Sequence, residues 1–310
     1  MTGADEAYQK DLTSYHLKKS EFVIRECPGC TSSSNQNFCQ KDGFNFSRCT
    51  GCWTIFMNPG PTPDMVRNLY ATSNLYAYWG QHVYPESAKS RFINLTLPRA
   101  EYVRSALEPA EMSRSLNFLE IGAGTGDIGR QIKKIFPDSK VHALEPNPSM
   151  WKYYENSGIE LIKEPIETLK ATQNSFDLIY AFEVAEHLLE PRKLFEAAAR
   201  LLKRGGRLVM STPNAHSLEV FIMANFSNTL DMEHISVLTP LAIHSIASDN
   251  DLRVLKLETP GKFDLELLES KYRRKFIKLF MKGNTGMTQI QSSIANGGFS
   301  SHMKFILERK

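Results

Sequence analysis

Three groups of residues in this chain have the types and spacing that chemistry requires. The first is Glu183-Val184-Ala185-Glu186-His187, with Asp231-Met232-Glu233-His234 further on. On a helical turn Glu183, Glu186 and His187 stand at i, i+3 and i+4 and project from one face. Joined by His234, they form a mixed oxygen and nitrogen donor set for a divalent cation of the magnesium, manganese or zinc kind. The same residues can act without metal, because imidazole titrates near neutrality and His187 or His234 can take the proton of an acceptor hydroxyl. They can also be structural, with Glu183 capping backbone amides and His187 hydrogen-bonded in a cleft.

The second group is four cysteines in two C-x-x-C knuckles, Cys27-Pro28-Gly29-Cys30 and Cys49-Thr50-Gly51-Cys52. Each knuckle places two thiolates on one side of a tight turn. The eighteen residues between them suffice for a hairpin that closes an all-sulfur tetrahedral site, with structural zinc as the expected occupant. Disulfides are the competing reading, and a reducing compartment disfavours them. Cys39 is the odd thiol and no ligand.

The third group is Leu119-Glu120-Ile121-Gly122-Ala123-Gly124-Thr125-Gly126-Asp127, an apolar strand running into glycines at alternate positions. A strand turning sharply into a helix visits positive φ, and a ligand approaching the backbone needs Cβ out of the way. The dinucleotide fingerprint fails by one position, because its third glycine would stand where Asp127 does.

Elements of α/β type must position these groups. Strands read at Lys140–Glu145, Ser175–Phe182, Arg207–Ser211, Leu252–Glu258 and His302–Glu308, with a helix over Thr239–Asp249. Before them, Asp64–Tyr78 and Pro85–Leu107 carry apolar residues at helical spacing. Asn58-Pro59-Gly60-Pro61-Thr62-Pro63 punctuates the chain, so the expected organisation is an N-terminal extension and zinc module over 1–58 and a catalytic domain over 59–310. The latter divides into a helical cap (63–108), a core (115–258), an insertion (259–300) and a last strand (301–309). Within the insertion, Phe263–Met281 reads as a basic amphipathic helix and Gly283–Gly298 as a mobile, lid-like loop.

The glycine loop, the strand order and the carboxylate after the second strand resemble the class I S-adenosylmethionine-dependent methyltransferases, whose motif I is E/D-x-G-x-G-x-G; the resemblance spans 116 to about 258. It implies a Rossmann-like seven-stranded sheet with helices on both faces and an antiparallel edge strand at 302–308. It also implies that Glu120, Gly122, Ala123, Gly124 and Gly126 wrap the methionine and ribose, with Glu145 on the ribose hydroxyls. Pro146 and Asn147 would lie beside the adenine, Glu164 and Ile166 at its edge, and Phe182 and Glu183 beside the sulfonium. Tyr70, Tyr76, Tyr78, Trp79 and Tyr84 become candidates to contact substrate, although aromatic stripes commonly pack as core. The E-x-x-E-H run resembles the metal site of ubiquinone-pathway and small-RNA 2′-O-methyltransferases, where a further histidine completes the shell; His234 could supply it.

The knuckle and core together look like the methyltransferases of bacterial polysaccharide and secondary-metabolite pathways, so the expected acceptor is a hydroxyl of a sugar, sugar nucleotide or related glycosyl or phosphorylated metabolite. A metal-dependent RNA 2′-O-methyltransferase is the second reading, and a noncatalytic S-adenosylmethionine-binding docking protein the third. Among 310 residues the formal charge is only +3, too small to demand nucleic acid or an anionic membrane. No base-reading motif appears, so DNA is not an expected partner. With no signal-peptide pattern and no apolar run long enough to span a bilayer, the cytoplasm is the expected compartment.

Overall fold

The computed structural model describes residues 2–169, 172–261 and 284–310. The basic helix expected at Phe263–Met281 lies outside the described residues.

The chain opens with α1 (Gly3–Leu17), followed by β1 (Asn35–Lys41), β2 (Phe44–Cys49) and β3 (Ile55–Met57). Next come α2 (Pro63–Thr72) and a long helical rod made of α3 (Asn74–Tyr78), α4 (Tyr84–Arg91) and α5 (Leu97–Arg104). Two π-helical stretches, Trp79–Val83 and Phe92–Thr96, join the pieces of the rod. The core then alternates: β4 (Asn117–Ile121), α6 (Asp127–Ile135), β5 (Lys140–Leu144), β6 (Glu160–Ile162), β7 (Phe176–Phe182), α7 (Pro191–Leu201), β8 (Leu202–Pro213). The remainder is α8 (Leu218–Met223), β9 (Ser236–Val237), α9 (Pro240–Asp249), β10 (Leu252–Glu258), α10 (Asn284–Asn296) and β11 (His302–Arg309).

Seven strands form one sheet in the order β10-β11-β8-β7-β4-β5-β6. The centre is parallel, and its strands are apolar on both faces because helices cover both; in β7 all but Asp177 are buried. β11 runs antiparallel to both β8 and β10, so the antiparallel strand expected at the edge is interior and β10 is the edge. Strand pairing across an insertion is not encoded locally, which is why sequence order misplaced it.

The second sheet, β1-β2-β3-β9, crosses the expected boundary at residue 58. Its hairpin and third strand come from the cysteine module, but its last strand, β9, comes from the catalytic half: Ile55 pairs with Val237 and Phe56 with Ser236. The two halves also share a core, in which Cys27, Cys49, Cys52 and Phe56 pack in one cluster with Leu194 and Phe195 of α7 and Ile243 of α9.

Two further expectations are corrected. The described part of Gly283–Gly298 is mostly the helix α10, anchored by buried Ile294 and by Thr259, whose hydroxyl donates to the Ala295 carbonyl at 2.7 Å. α1, which the sequence reading left as an extension, is held because the buried Asp11 carboxylate caps α3, accepting from Ser73 Oγ (2.7 Å), Asn74 N (2.9 Å) and Leu75 N (3.0 Å).

Candidate active site

At the carboxyl end of β4 the chain turns through Gly122 (φ 66°), Gly124 (φ 53°) and Gly126 (φ 75°) into α6. These are left-handed conformations that side-chain-bearing residues rarely adopt. The glycines nevertheless serve different ends. A Cβ on Gly122 would meet Val184 at 2.6 Å and one on Gly126 would meet Tyr154 at 2.9 Å, so both are packing glycines. Nothing lies within 4 Å of a Cβ built on Gly124, whose backbone faces open space in the cavity wall. The Tyr154 hydroxyl donates to the Gly124 carbonyl at 3.0 Å and braces the loop.

Glu145 follows the last residue of β5 and is fixed by two backbone amides: Gly124 N donates to Oε2 at 2.7 Å and Asn147 N to Oε1 at 2.8 Å. Each oxygen keeps a further lone pair, so the carboxylate can accept two more donors, such as a pair of vicinal hydroxyls. Burial raises its pKa and the two amides oppose that rise. Beside it, Leu144, Pro146, Asn147, Met150, Lys163, Ile166 and Thr168 line the same cavity and form a slot with apolar and polar faces. The open Gly124 backbone, the pre-set carboxylate and this slot fit an adenosyl group.

Several expected cofactor residues lie elsewhere. Glu120 is buried beneath the loop, where Gly129 N donates to its Oε2 at 3.0 Å, and burial pushes its pKa up to about 8. Its carboxyl faces α6 because an alternating strand sends residue 120 to the side opposite 119 and 121, and Gly129 leaves room for it. Ala123 packs into the core. Glu164 accepts from Thr168 Oγ1 at 3.2 Å and is not among the cavity's lining residues. Phe182 borders a separate cavity of about 200 Å³, under the Arg99 guanidinium.

Beyond β7 the backbone breaks the one-face arrangement expected for the E-x-x-E-H run. Glu183 has φ 57°, and only Ala185–His187 form a 3-10 turn. Glu183 therefore points away from its two partners: it accepts from Ser211 Oγ at 2.5 Å and His302 Nε2 at 3.1 Å, with Arg99 at 3.8 Å. Burial raises its pKa, but His302, Ser211 and Arg99 outweigh that and hold it at about 2.

Glu186, His187 and His234 do converge, with one donor atom from each lying within 4.8 Å of the others. Glu186 is fully buried; its Oε2 accepts from Thr212 Oγ1 at 2.9 Å and its Oε1 has no partner. Burial and then the charge of Glu183 raise its pKa. His187 Nδ1 meets the Glu233 carbonyl at 3.2 Å and His234 Nδ1 the Thr229 carbonyl at 3.0 Å. A carbonyl only accepts, so each Nδ1 carries the hydrogen. Burial, followed by the neighbouring His234, lowers the His187 pKa to about 3, so the ring is neutral at physiological pH. Two imidazoles oriented by carbonyls and a buried carboxyl with an orphan oxygen make a set that fits a divalent cation.

Glu233, which the sequence reading passed over in favour of His234, also lines the cavity. Its Oε1 is buried without a partner, and burial, then Asp231 and Asp11, raise its pKa to about 8. Nothing in the Asp-Met-Glu-His spacing distinguishes that glutamate from a surface one.

Glycine loop, adenosyl slot and histidine pair open onto one cavity of about 1590 Å³. Tyr70, Tyr76, Trp79 and Tyr84 from α2 and the rod also line it; Tyr78 packs on His82 and α1 instead.

In the cysteine module the four thiols gather as expected. Cys27 and Cys52 Sγ are 3.4 Å apart and Cys30 and Cys49 Sγ 3.5 Å apart, with Gly29 N donating to Cys27 Sγ at 3.4 Å and Gly51 N to Cys49 Sγ at 3.3 Å. Amides aimed at sulfur stabilise thiolates, and four sulfurs at such spacing fit tetrahedral zinc. Cys39 lies on β1, outside the cluster.

Comparison with known proteins bears on this cavity. The chain is 31% identical to a ubiquinone biosynthesis O-methyltransferase of Xanthomonas axonopodis pv. citri (strain 306), over 47% of this chain and 59% of that protein. It is 30% identical to a malonyl-[acyl-carrier protein] O-methyltransferase of Hahella chejuensis, over 31% of this chain and 36% of that one. It thus spans less than two thirds of the length of these curated relatives. The solved structure described as a sarcosine dimethylglycine methyltransferase from Galdieria sulphuraria shares the fold, with TM-score 0.50 at 16% identity, covering 69% of this chain and 86% of that one. The family model described as a methyltransferase domain matches residues 90–257, which is over half of the chain and holds the glycine loop, Glu145, Glu186, His187 and His234, so the chain belongs to that family.

Proposed function

We propose that this protein transfers a methyl group from S-adenosylmethionine to a hydroxyl of a small, ring-shaped acceptor. The observation that carries this reading is the single cavity joining the Gly124–Glu145 cradle to the Glu186–His187–His234 cluster.

When bound, a sulfonium donor supplies an electrophilic methyl carbon and a thioether leaving group that needs no protonation. The protein's task is therefore alignment, exclusion of water and removal of one proton from the acceptor. Glu145 would accept the ribose hydroxyls of the donor, the Gly124 backbone would leave room for it, and Met150 and Ile166 would lie on the side of its base. The aromatic lining of Tyr70, Tyr76, Trp79 and Tyr84 holds the acceptor ring and keeps solvent out.

His187 and His234 both line the cavity, and either can receive the acceptor proton. A divalent cation held by Glu186, His187 and His234 would lower the pKa of an acceptor hydroxyl and supply the positive charge that the buried Glu186 lacks. The four cysteines hold structural zinc in this reading, away from the transferred group.

An aromatic lining favours a phenolic ring over a sugar nucleotide, and neither curated relative described above is named for a sugar. The glycosyl acceptor expected from the sequence therefore stands second. Transfer of labelled methyl to a catechol panel, compared with nucleotide sugars, tests the order. Turnover on catechols supports the proposal, turnover on sugars alone reverses the acceptor class, and failure to bind sinefungin in calorimetry overturns the donor site.

A further inference from the structure

The geometry points to Arg25 as a positioning residue that sets the spacing of His187 and His234, making the cysteine module part of the acceptor site's framework. This rests on the function proposed above for the two histidines.

Arg25 lies on the segment leading into the first cysteine pair. Its guanidinium donates through Nη1 to the carbonyls of Met57 (3.4 Å) and Ile235 (3.3 Å). Through Nη2 it donates to the Leu189 carbonyl and to Ser236 Oγ (3.0 Å). Leu189 is two residues beyond His187, and Ile235 is the residue after His234. One rigid fork thus ties both histidine-bearing segments to the end of β3. Among the described residues no carboxylate lies within 4 Å of the guanidinium, so its hydrogen bonds go to main-chain carbonyls and a hydroxyl. A planar fork with five donors suits several fixed acceptors, which a lysine could not bridge together. Gly60 makes the room: a Cβ there would meet Arg25 Cδ at 2.5 Å. Phe56 lies under the guanidinium, 5.9 Å from ring centroid to Cζ.

The surrounding links act in the same sense. Met57 N donates to the Ile235 carbonyl at 3.1 Å, beside the β3–β9 pairing. Thr239 Oγ1 donates to the Cys52 carbonyl at 2.6 Å, and Arg192 at the start of α7 donates to the Gly29 carbonyl at 2.9 Å. From within, His187 is bonded to the Glu233 carbonyl on the opposite segment. The histidines therefore sit between an inner tie and an outer one, and Arg25 is the outer tie. Supporting groups of this kind typically contribute roughly 10- to 100-fold to the activity or metal affinity of the residues they orient.

The test is Arg25→Met, which keeps the stem and removes the donors, together with Arg25→Lys, which keeps the charge but not the fork. Imidazole ¹⁵N spectra of the zinc-loaded protein report whether His187 and His234 remain Nδ1–H tautomers. Expected in both variants are displaced histidine ¹⁵N shifts and mixed tautomers, a fall in kcat of roughly 10- to 100-fold, and unchanged sinefungin affinity. Histidine spectra and kcat identical to wild type would overturn the inference. Should Arg25→Met fail to fold, Arg25→Lys and Ser236→Ala, which removes one acceptor of the fork, carry the same readout. If wild-type protein binds no sinefungin, the donor site is wrong, while the tautomer spectra still decide the role of Arg25.

Discussion

The rings of His187 and His234 lie 4.8 Å apart between centroids, although helix α7, strand β8 and helix α8 separate them in the chain. Each is oriented through Nδ1 by a main-chain carbonyl, and both line one cavity. That arrangement suits a base or a metal ligand.

Replacing either histidine by alanine should lower turnover by about 10²- to 10⁴-fold, the usual contribution of a positioned proton acceptor, and leave donor affinity intact. Glu186→Gln separates the two chemistries. If a cation is held there, cobalt or magnesium titration should show loss of one site in this variant, with the cysteine zinc retained. Equal metal content in wild type and variant would restrict the histidines to proton transfer.

Glu145→Ala should weaken sinefungin or S-adenosylhomocysteine by about 1 to 3 kcal/mol, the range for charge-assisted hydrogen bonds. It also releases the Gly124 and Asn147 amides that Glu145 holds. Isothermal calorimetry gives the number directly, and unchanged affinity would remove Glu145 from the donor site.

Cys30→Ser leaves three sulfur ligands in a site whose metal is expected to contribute folding energy. Zinc released to a chromogenic chelator should rise, and melting temperature should fall. Because the module's core is continuous with α7 and α9, the loss should lower the unfolding transition of the whole chain instead of producing a separate early one. A purified wild type without stoichiometric zinc would reject the assignment.

Glu120 gives a pH signature. Its folded pKa of about 8 lies above the ordinary 4.5, so between those values the folded state binds the extra proton. Its stabilising contribution is full below about pH 4.5 and declines as pH rises towards 8, with each unit worth about 1.4 kcal/mol at most. Glu120→Gln keeps an acceptor for Gly129 N and cannot ionise. Its denaturation midpoint should fall less than that of wild type between pH 5 and 8; identical slopes would mean that the carboxyl is ionised in the fold.

Much of the site was legible from local spacing alone. Glycines at alternate positions after a strand, a carboxylate closing the next strand and two C-x-x-C pairs each encode their geometry within a few residues. Backbone sterics and the reach of a tight turn act at that range. The sheet's parallel strands were legible for a similar reason, since burial on both faces demands an unbroken apolar run.

What the tertiary structure alone decided involves partners far apart in the chain. Glu183 shares an E-x-x-E-H spacing with Glu186 and His187, yet a positive φ and the long-range pull of Ser211, His302 and Arg99 turn it out of the cluster. β11 enters the sheet's interior because its hydrogen-bonding edges match β8 and β10, which lie before the insertion. The pairing of β3 with β9, 180 residues on, turns an apparent appendage into a support for His234. Such contacts depend on loop closure and on surfaces that exist only once the chain is folded. The sequence by itself determined the kinds of chemistry available here, and packing decided which residues meet to perform them.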